Sequence, residues 1–386
     1  MTMTATRRLL DTLVALDTTS TTSNLDLLAL VETLLDQHGI PHERVPSPDG
    51  TKANLIACVG PPVDGGVVLT GHTDCVPVTG QVWDRDPFAV HERDGRLYGR
   101  GVTDMKGFLA VVLAALPAMV AGGLQRPIQL VLTYDEEVGT VGAPSAVDQL
   151  VASGPRPAAV IVGEPTSMEV VTAHKGVRSF TTVVEGLERH SSQPQHGANA
   201  IAALARIATY IDDLAAAHRA AAADLRFAPP YTTFNLATIT GGQAINIVPR
   251  HAELTWEYRP VPADDSDAIR SDVERYTREE VLPRLTEMTG VGTIACRAET
   301  VTRGLEAEPD GPAEALARQL TGYGGPSRTV AFGTDGGHFQ AAGFSTVVCG
   351  PGSIDQAHTP NEWIEISQLE ACETFVGRLI DHLGAE

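Results

Sequence analysis

The chain has 386 residues, roughly two to three domains' worth, and its 43% apolar and 20% charged residues exclude a disordered chain. No stretch of about 18 residues is apolar throughout, which excludes a membrane-spanning helix. With 48 acidic against 28 basic residues the net charge is −20, so the surface repels nucleic acid and anionic lipid, and neither is expected as a partner.

In chain order, residues 1–8 carry Arg7 and Arg8 without an apolar core behind them, so no secretory signal peptide is expected. Leu9, Leu10, Leu13 and Leu16, then Leu27, Leu28, Leu30, Val31, Leu34 and Leu35, recur at helical spacing. A Thr/Ser run with Asn24 separates them, which predicts two helices within 6–38 joined by a capping loop. Short apolar runs bounded by turn residues follow at 54–59, 67–70, 128–133 and 160–162, with a helical pattern over 107–120. Near-continuous apolar strands alternating with helices predict α/β layering around a buried, largely parallel sheet.

The pattern changes near Gly176. Residues 177–184 alternate like a half-exposed strand, and an Ala-rich helix is expected over 199–218, with 214–223 reading as helix rather than disorder. Strands at 232–240 and 252–259, a charged helix at 267–281 and a strand at 292–302 complete a β-α-β-β-α-β order, that of a ferredoxin-like α+β unit. The α/β pattern then resumes with a helix from Pro312, a strand at 346–349 and a helix from Ser367. Two domains are therefore expected: a catalytic one from 1–176 and 304–386, and an inserted one at 177–303. Five scattered cysteines without a CxxC pair argue against a disulfide framework or a cysteine zinc knuckle and fit a reducing cytoplasm.

The chemistry concentrates at the ends of the predicted strands, where open α/β sheets bind ligands. His72 and Asp74 follow one strand, Glu136 and Glu137 another, Glu164 a third and His358 a fourth, while Asp104 sits in a loop entering a helix. Each alone fits a structural role: a hydrogen-bonded histidine, a helix N-cap at Asp104, an exposed turn at Glu136-Glu137, a solvated loop carboxylate at Glu164. Together, histidines and carboxylates without cysteine at one sheet edge suit divalent cations, zinc above all. Two such ions need a bridging carboxylate, and a spare carboxylate must take the proton of the attacking water. Cys75 reads as packing, and Trp83 as structural.

Gly71-His72-Thr73-Asp74, Gly101-Val102-Thr103-Asp104-Met105-Lys106-Gly107, Asp135-Glu136-Glu137 and Val162-Gly163-Glu164-Pro165-Thr166 resemble the motifs of the co-catalytic zinc deacylase and exopeptidase family. The resemblance runs over nearly the whole chain. It implies a zinc-exopeptidase-like mixed sheet flanked by helices, with a ferredoxin-like insert serving as dimerisation and lid domain. It implies two Zn2+ (or Co2+) per subunit, with Asp104 as bridge, His72 and Glu164 at one ion, and Glu137 and His358 at the other. Glu136 would be the general base, and Asp74 would bind the far nitrogen of His72. Gly186-Leu187-Glu188-Arg189-His190 is similar to the segment whose histidine stabilises the oxyanion in the partner subunit's active site, which implies a homodimer. Relatives carry a small residue where Arg189 stands. Asn246 and Arg259 match positions that hold a substrate carboxylate, for which the planar Arg fork is suited.

Within the family, Cys349-Gly350-Pro351-Gly352-Ser353-Ile354-Asp355-Gln356-Ala357-His358, Gly163-Glu164-Pro165-Thr166-Ser167 and Ala173-His174-Lys175-Gly176 are most similar to the acetylornithine deacetylase group. That implies hydrolysis of N2-acetyl-L-ornithine to L-ornithine and acetate, in arginine biosynthesis. Asp335, in Gly333-Thr334-Asp335-Gly336-Gly337, is the candidate acceptor for the side-chain ammonium. The alternatives are another N-acyl amino acid (acetylcitrulline, acetyldiaminobutyrate or succinyl-diaminopimelate), a dipeptidase or carboxypeptidase, and a non-catalytic binding protein on the same fold.

Overall fold

The computed structural model describes residues 3–221 and 224–384. The chain divides into two units. One comprises Met1–Ala173, Leu305–Thr329 and Thr334–Glu386, and the other His174–Gly304 with Val330–Gly333.

The first unit is built on a mixed sheet. From edge to edge its strands are His42–Pro46, Ala53–Val59, Ile128–Thr133, Val67–His72, Ala159–Val162, Thr346–Val348, Val171–His174 and Arg328–Val330. The four central strands run parallel. Antiparallel pairs flank them on both sides. The apolar runs mark strands covered on both faces, which holds for either direction; it is the central run that is parallel.

Alternate residues of these strands feed two apolar layers, as a period of two requires. Leu55, Leu69, Leu130 and Ile161 pack with Leu10, Leu13, Phe108, Ala317 and Phe375 of the helices Met3–Ala15, Lys106–Ala114, Pro312–Thr321 and Ile366–Gly384. Ile56, Val68, Val131 and Val160 pack on the other face with Ala146, Val147, Leu150 and Phe339 of Ala143–Ser153 and Gly336–Ala341. Truncating one such buried leucine, for example Leu130, costs about 2–5 kcal/mol.

The single helix read over 107–120 is two helices, Lys106–Ala114 and Leu116–Ala121. Pro117 has no amide hydrogen to continue the first helix and instead starts the second. Lys106 is fully buried. Its Nζ donates to the carbonyls of Leu13 and Leu16 at 3.0 and 2.8 Å, so it satisfies the C-terminal end of helix Met3–Ala15. A three-stranded sheet of Trp363–Glu365, Arg96–Tyr98 and His91–Arg93 was not legible in the sequence.

The second unit has the β-α-β-β-α-β order. Its antiparallel sheet runs Thr233–Gly241, His251–Arg259, Val177–Glu185, Thr293–Thr302. Phe180, Trp256 and Tyr258 of the sheet pack with Leu204 and Ile207 of helix Ala200–Ala221 and Val273 of helix Ser266–Tyr276. Asp265 caps the latter by accepting from the amides of Asp267 and Ala268. The charged helix does not end there, but continues through a π-helical turn, Thr277–Val281, into Leu282–Thr286. The Ala-rich helix reaches Ala221; positions 222 and 223 of the expected helix lie outside the described residues.

Candidate metal centre

Because the four central strands are parallel, their C-terminal ends share one edge of the sheet. His72 ends Val67–His72, Glu136 and Glu137 follow Ile128–Thr133, Glu164 follows Ala159–Val162, and His358 follows Thr346–Val348 through a Gly-Pro-Gly loop. A Cβ at Gly163 would lie 2.2 Å from the Phe108 ring, so glycine lets the strand carrying Glu164 pass against helix Lys106–Ala114. Asp104 is not a helix cap. Met105 holds that position, without a side-chain cap bond, and Asp104 turns to the histidines.

Asp104 presents its two oxygens in different directions. Oδ1 lies 2.9 Å from His72 Nε2, and Oδ2 lies 3.2 Å from His358 Nε2. Glu164 Oε1 is 3.5 Å from His72 Nε2, and Glu137 Oε2 is 2.9 Å from His358 Nε2. His72 Nδ1 donates to the Asp74 backbone carbonyl at 2.9 Å, with the Asp74 carboxylate farther away at 3.5 Å. The far nitrogen of His72 is therefore held chiefly by the main chain, and Nε2 is the nitrogen available to a cation. The Asp74 carboxylate is engaged elsewhere, accepting from the amides of Glu136 and Glu137 at 3.1 and 3.3 Å and from Ser20 Oγ at 2.7 Å.

Whether this donor set suits a cation can be read from its unmet valences. Glu137 Oε1 is buried without a hydrogen-bond partner, which is costly for a carboxylate oxygen unless a cation meets it. His72, Glu136 and Glu164 each offer an atom within 4.8 Å of the others, as do His72, Asp104 and Glu137. Glu136, which the resemblance assigns to proton transfer, thus stands close enough to bind as well. The residues fit divalent cations of the zinc type.

The electrostatics follow from crowding acids in a dry place. Burial, and then the Glu164 charge, push the Glu136 carboxyl well above its ordinary range; burial and then Asp104 do the same to Glu164. Glu137 is raised to about 7, by burial first and by Asp104 next. His358 is half-exposed, and its hydrogen bonds to Asp104 and Glu137 push it up to about 10. Burial opposes charge on His72, but its bonds to Asp104 and Asp74 prevail and hold its pKa well above the ordinary value. Burial opposes ionisation of Asp104 too, yet its bonds from His358 and His72 hold it low.

Asp335 stands at the N-cap position of helix Gly336–Ala341 without a side-chain cap bond, and is buried. Its Oδ2 accepts from Thr133 Oγ1 at 2.7 Å, its Oδ1 has no partner, and burial raises it to about 6. Cys75 is fully buried and its thiol is pushed up to about 12 by burial, which suits packing rather than a thiolate.

His190, Asn246 and Arg259 belong to the second unit. His190 is exposed, its Nδ1 is 2.7 Å from Ser192 Oγ, and the next amide, Ser191, donates to the Asn246 carbonyl at 2.9 Å. Arg259 ends strand His251–Arg259, and its Nε donates to Glu257 at 3.0 Å.

Sequence reasoning missed Ser20 and Lys52. Lys52 Nζ donates to the Ser20 carbonyl at 2.6 Å and pairs with Asp135, the residue before the two glutamates, whose φ is +54°. The Asp-Glu-Glu triplet was the only signal: three adjacent acids call for a basic partner, and Asp is among the few residues that tolerate a left-handed turn.

The sequence profile described as peptidase family M20/M25/M40 matches residues 68–382. The chain is 35% identical over 386 residues to a Myxococcus xanthus protein named acetylornithine deacetylase, covering 99% of this chain and 98% of that one. It is 33% identical to a Proteus mirabilis protein of the same name, covering 95% and 92%. Among solved structures, a Staphylococcus aureus tripeptidase superposes with a TM-score of 0.75 at 20% identity over 100% of both chains. A Bacillus subtilis protein described as a dinuclear metal binding peptidase from the M20 family gives 0.63 at 16% identity over 98% of both. The fold is shared with these structures, and the chain belongs to peptidase family M20/M25/M40.

Proposed function

We propose that this protein is a metal-dependent amide hydrolase that removes the acetyl group from N2-acetyl-L-ornithine, releasing L-ornithine and acetate. The observation that carries the reading is Asp104, whose two oxygens face His72 and His358 separately, an arrangement that would suit a carboxylate shared by two cations. Held by His72, Asp104, Glu137, Glu164 and His358, two Zn2+ (or Co2+) ions would polarise the acyl carbonyl and make a bound water acidic.

The rest is the work of side chains. Glu136, with its carboxyl raised by burial and by Glu164, is basic enough to accept the water's proton and return it to the leaving amine. Asp74 orients it by taking its backbone amide. Asp335 has an unpartnered Oδ1 with which to receive the ornithine ammonium. His190 is proposed to stabilise the oxyanion across a homodimer, and Asn246 and Arg259 to hold the α-carboxylate. The roles of these three residues, the lid and dimerisation role of the inserted unit, the cytoplasmic location and the place in arginine biosynthesis are supported by the motif resemblance. The names of the relatives support the substrate.

The test is acetate release from N2-acetyl-L-ornithine by chelated protein reloaded with Zn2+ or Co2+. It is run beside acetylcitrulline, acetyldiaminobutyrate, succinyl-diaminopimelate and dipeptides. Acetylornithine should give the highest kcat/KM. A dipeptide turned over faster would move the protein to the peptidases, and no metal-dependent turnover of any substrate would remove the enzyme reading.

A further inference from the structure

Glu362 is a buried carboxylate for which the proposed chemistry has no use. Its oxygens are fully subscribed. Oε2 accepts from Arg100 Nη1 at 2.7 Å and from the Gly101 amide at 2.9 Å. Oε1 accepts from the amides of Thr103 and Asp104 at 2.9 and 3.1 Å. Three of the four donors are main-chain groups of the loop that ends in Asp104. Gly101 permits that loop, with φ at +79°. The loop therefore wraps a carboxylate, and the last amide in the wrap belongs to Asp104 itself.

The contact continues outward. Arg100 and Glu362 are each 1% exposed. The second arm of the Arg100 fork, Nη2, donates to Gln81 Oε1 at 2.6 Å, and the guanidinium lies 5.0 Å from the centre of the Trp83 ring. Trp83 Nε1 donates to the same Gln81 oxygen at 3.1 Å. Gln81 Nε2 then donates to the backbone carbonyl of His358 at 2.9 Å. At the other end, Glu362 leads directly into Trp363–Glu365, which pairs with Arg96–Tyr98 and so fastens both segments to one small sheet.

We infer that Glu362, Arg100 and Gln81 form a positioning relay that sets the separation of Asp104 from His358, and so governs the cation held between them more than its neighbour. His358 needs such support. It is half-exposed, its φ is +60°, and it follows a Gly-Pro-Gly loop and a single 3-10 turn, Ile354–Gln356, rather than ending a strand of the sheet. His72 ends a central strand and needs none. Arg is required because only its planar fork can serve Glu362 and Gln81 together. The inference deepens the two-cation reading and rests on it.

The test titrates chelated full-length protein with Co2+, following metal content, the visible absorption of the ion and thermal unfolding. The unaltered protein shows whether two ions bind; a single ion would sink the two-cation reading and the relay with it, by an observation that needs no variant. Gln81→Glu keeps an acceptor for Arg100 and Trp83 but sets an oxygen against the His358 carbonyl. It should weaken one Co2+ site by about 10- to 100-fold and leave the other within about twofold, the range seen when partners of metal ligands are changed. The Tm of the chelated protein should not move. Arg100→Lys, which keeps the charge and loses the fork, should give the same one-site loss. Two unaltered sites in Gln81→Glu would overturn the inference. So would equal loss at both sites, or a loss that only follows a lowered Tm.

Discussion

Asp74 accepts the backbone amide of Glu136 on Oδ1 at 3.1 Å. The same carboxylate takes the Glu137 amide and the Ser20 hydroxyl, so it holds the turn that aims both glutamates. Asp74→Asn turns one acceptor into a donor and leaves a buried amide unmatched, which costs about 1–3 kcal/mol. Thermal unfolding should show that loss, and kcat should fall by about 10- to 100-fold. Unchanged kcat in a destabilised protein would reduce Asp74 to a structural residue.

Glu136→Gln keeps the volume and removes the base. Its kcat should fall by about 10²- to 10⁴-fold, the usual worth of a placed general base. Metal content should stay at the unaltered level, since the five assigned ligands remain. Loss of a metal ion from the variant would instead make Glu136 a ligand, as its place beside His72 and Glu164 allows.

Metal uptake should release protons. Glu137 is raised to about 7 and His358 to about 10, so both carry protons near neutral pH that a cation must displace. Affinity therefore rises with pH, steeply up to about 7, where both protons must leave, and less steeply up to about 10, where only the His358 proton must. In chelated protein both groups have folded pKa values above their unfolded ones. Their contribution to stability is full below the unfolded values and is lost as pH rises, through about 7 for Glu137 and about 10 for His358. Calorimetric titration in buffers of different ionisation enthalpy counts the protons, and proton-neutral binding would contradict the assignment.

Asp335→Asn should lower kcat/KM for acetylornithine by about 10- to 100-fold, the worth of a hydrogen bond to a charged group. Acetylnorvaline, which lacks the ammonium, should lose little. Equal losses on both substrates would take the ammonium role away from Asp335.

Thiol alkylation at about pH 8 should leave activity intact, because thiols become nucleophiles only as thiolates. Cys75 and Cys349 are fully buried, with thiols pushed up to about 12 by burial. Inactivation that tracks modification of Cys75 would reverse the packing assignment.

The parts of this molecule that were legible in sequence are those where one residue type answers one physical need. Val67 to Leu69 and Ile128 to Leu132 announce buried strands because each face of each strand meets an apolar layer. The strand-end acids and histidines stood out because nothing in a packed core wants them there. Strands such as His91–Arg93 and Arg96–Tyr98 are three residues long, too short for any alternation to reveal them. The pairing of Arg100 with Glu362 joins residues 262 apart, and burial turns two ordinary surface residue types into a fixed strut. Gln81 is a polar residue in a loop, whose meaning comes only from the His358 carbonyl it reaches.

Lys106 has a consequence for how the protein can be trimmed. Its ammonium is buried, and the carbonyls that satisfy it, Leu13 and Leu16, lie upstream of residue 68, where the family match begins. A fragment starting at that boundary would strand a positive charge in an apolar layer two residues from Asp104. The smallest piece worth expressing therefore keeps its opening helix, even though that helix supplies no metal ligand.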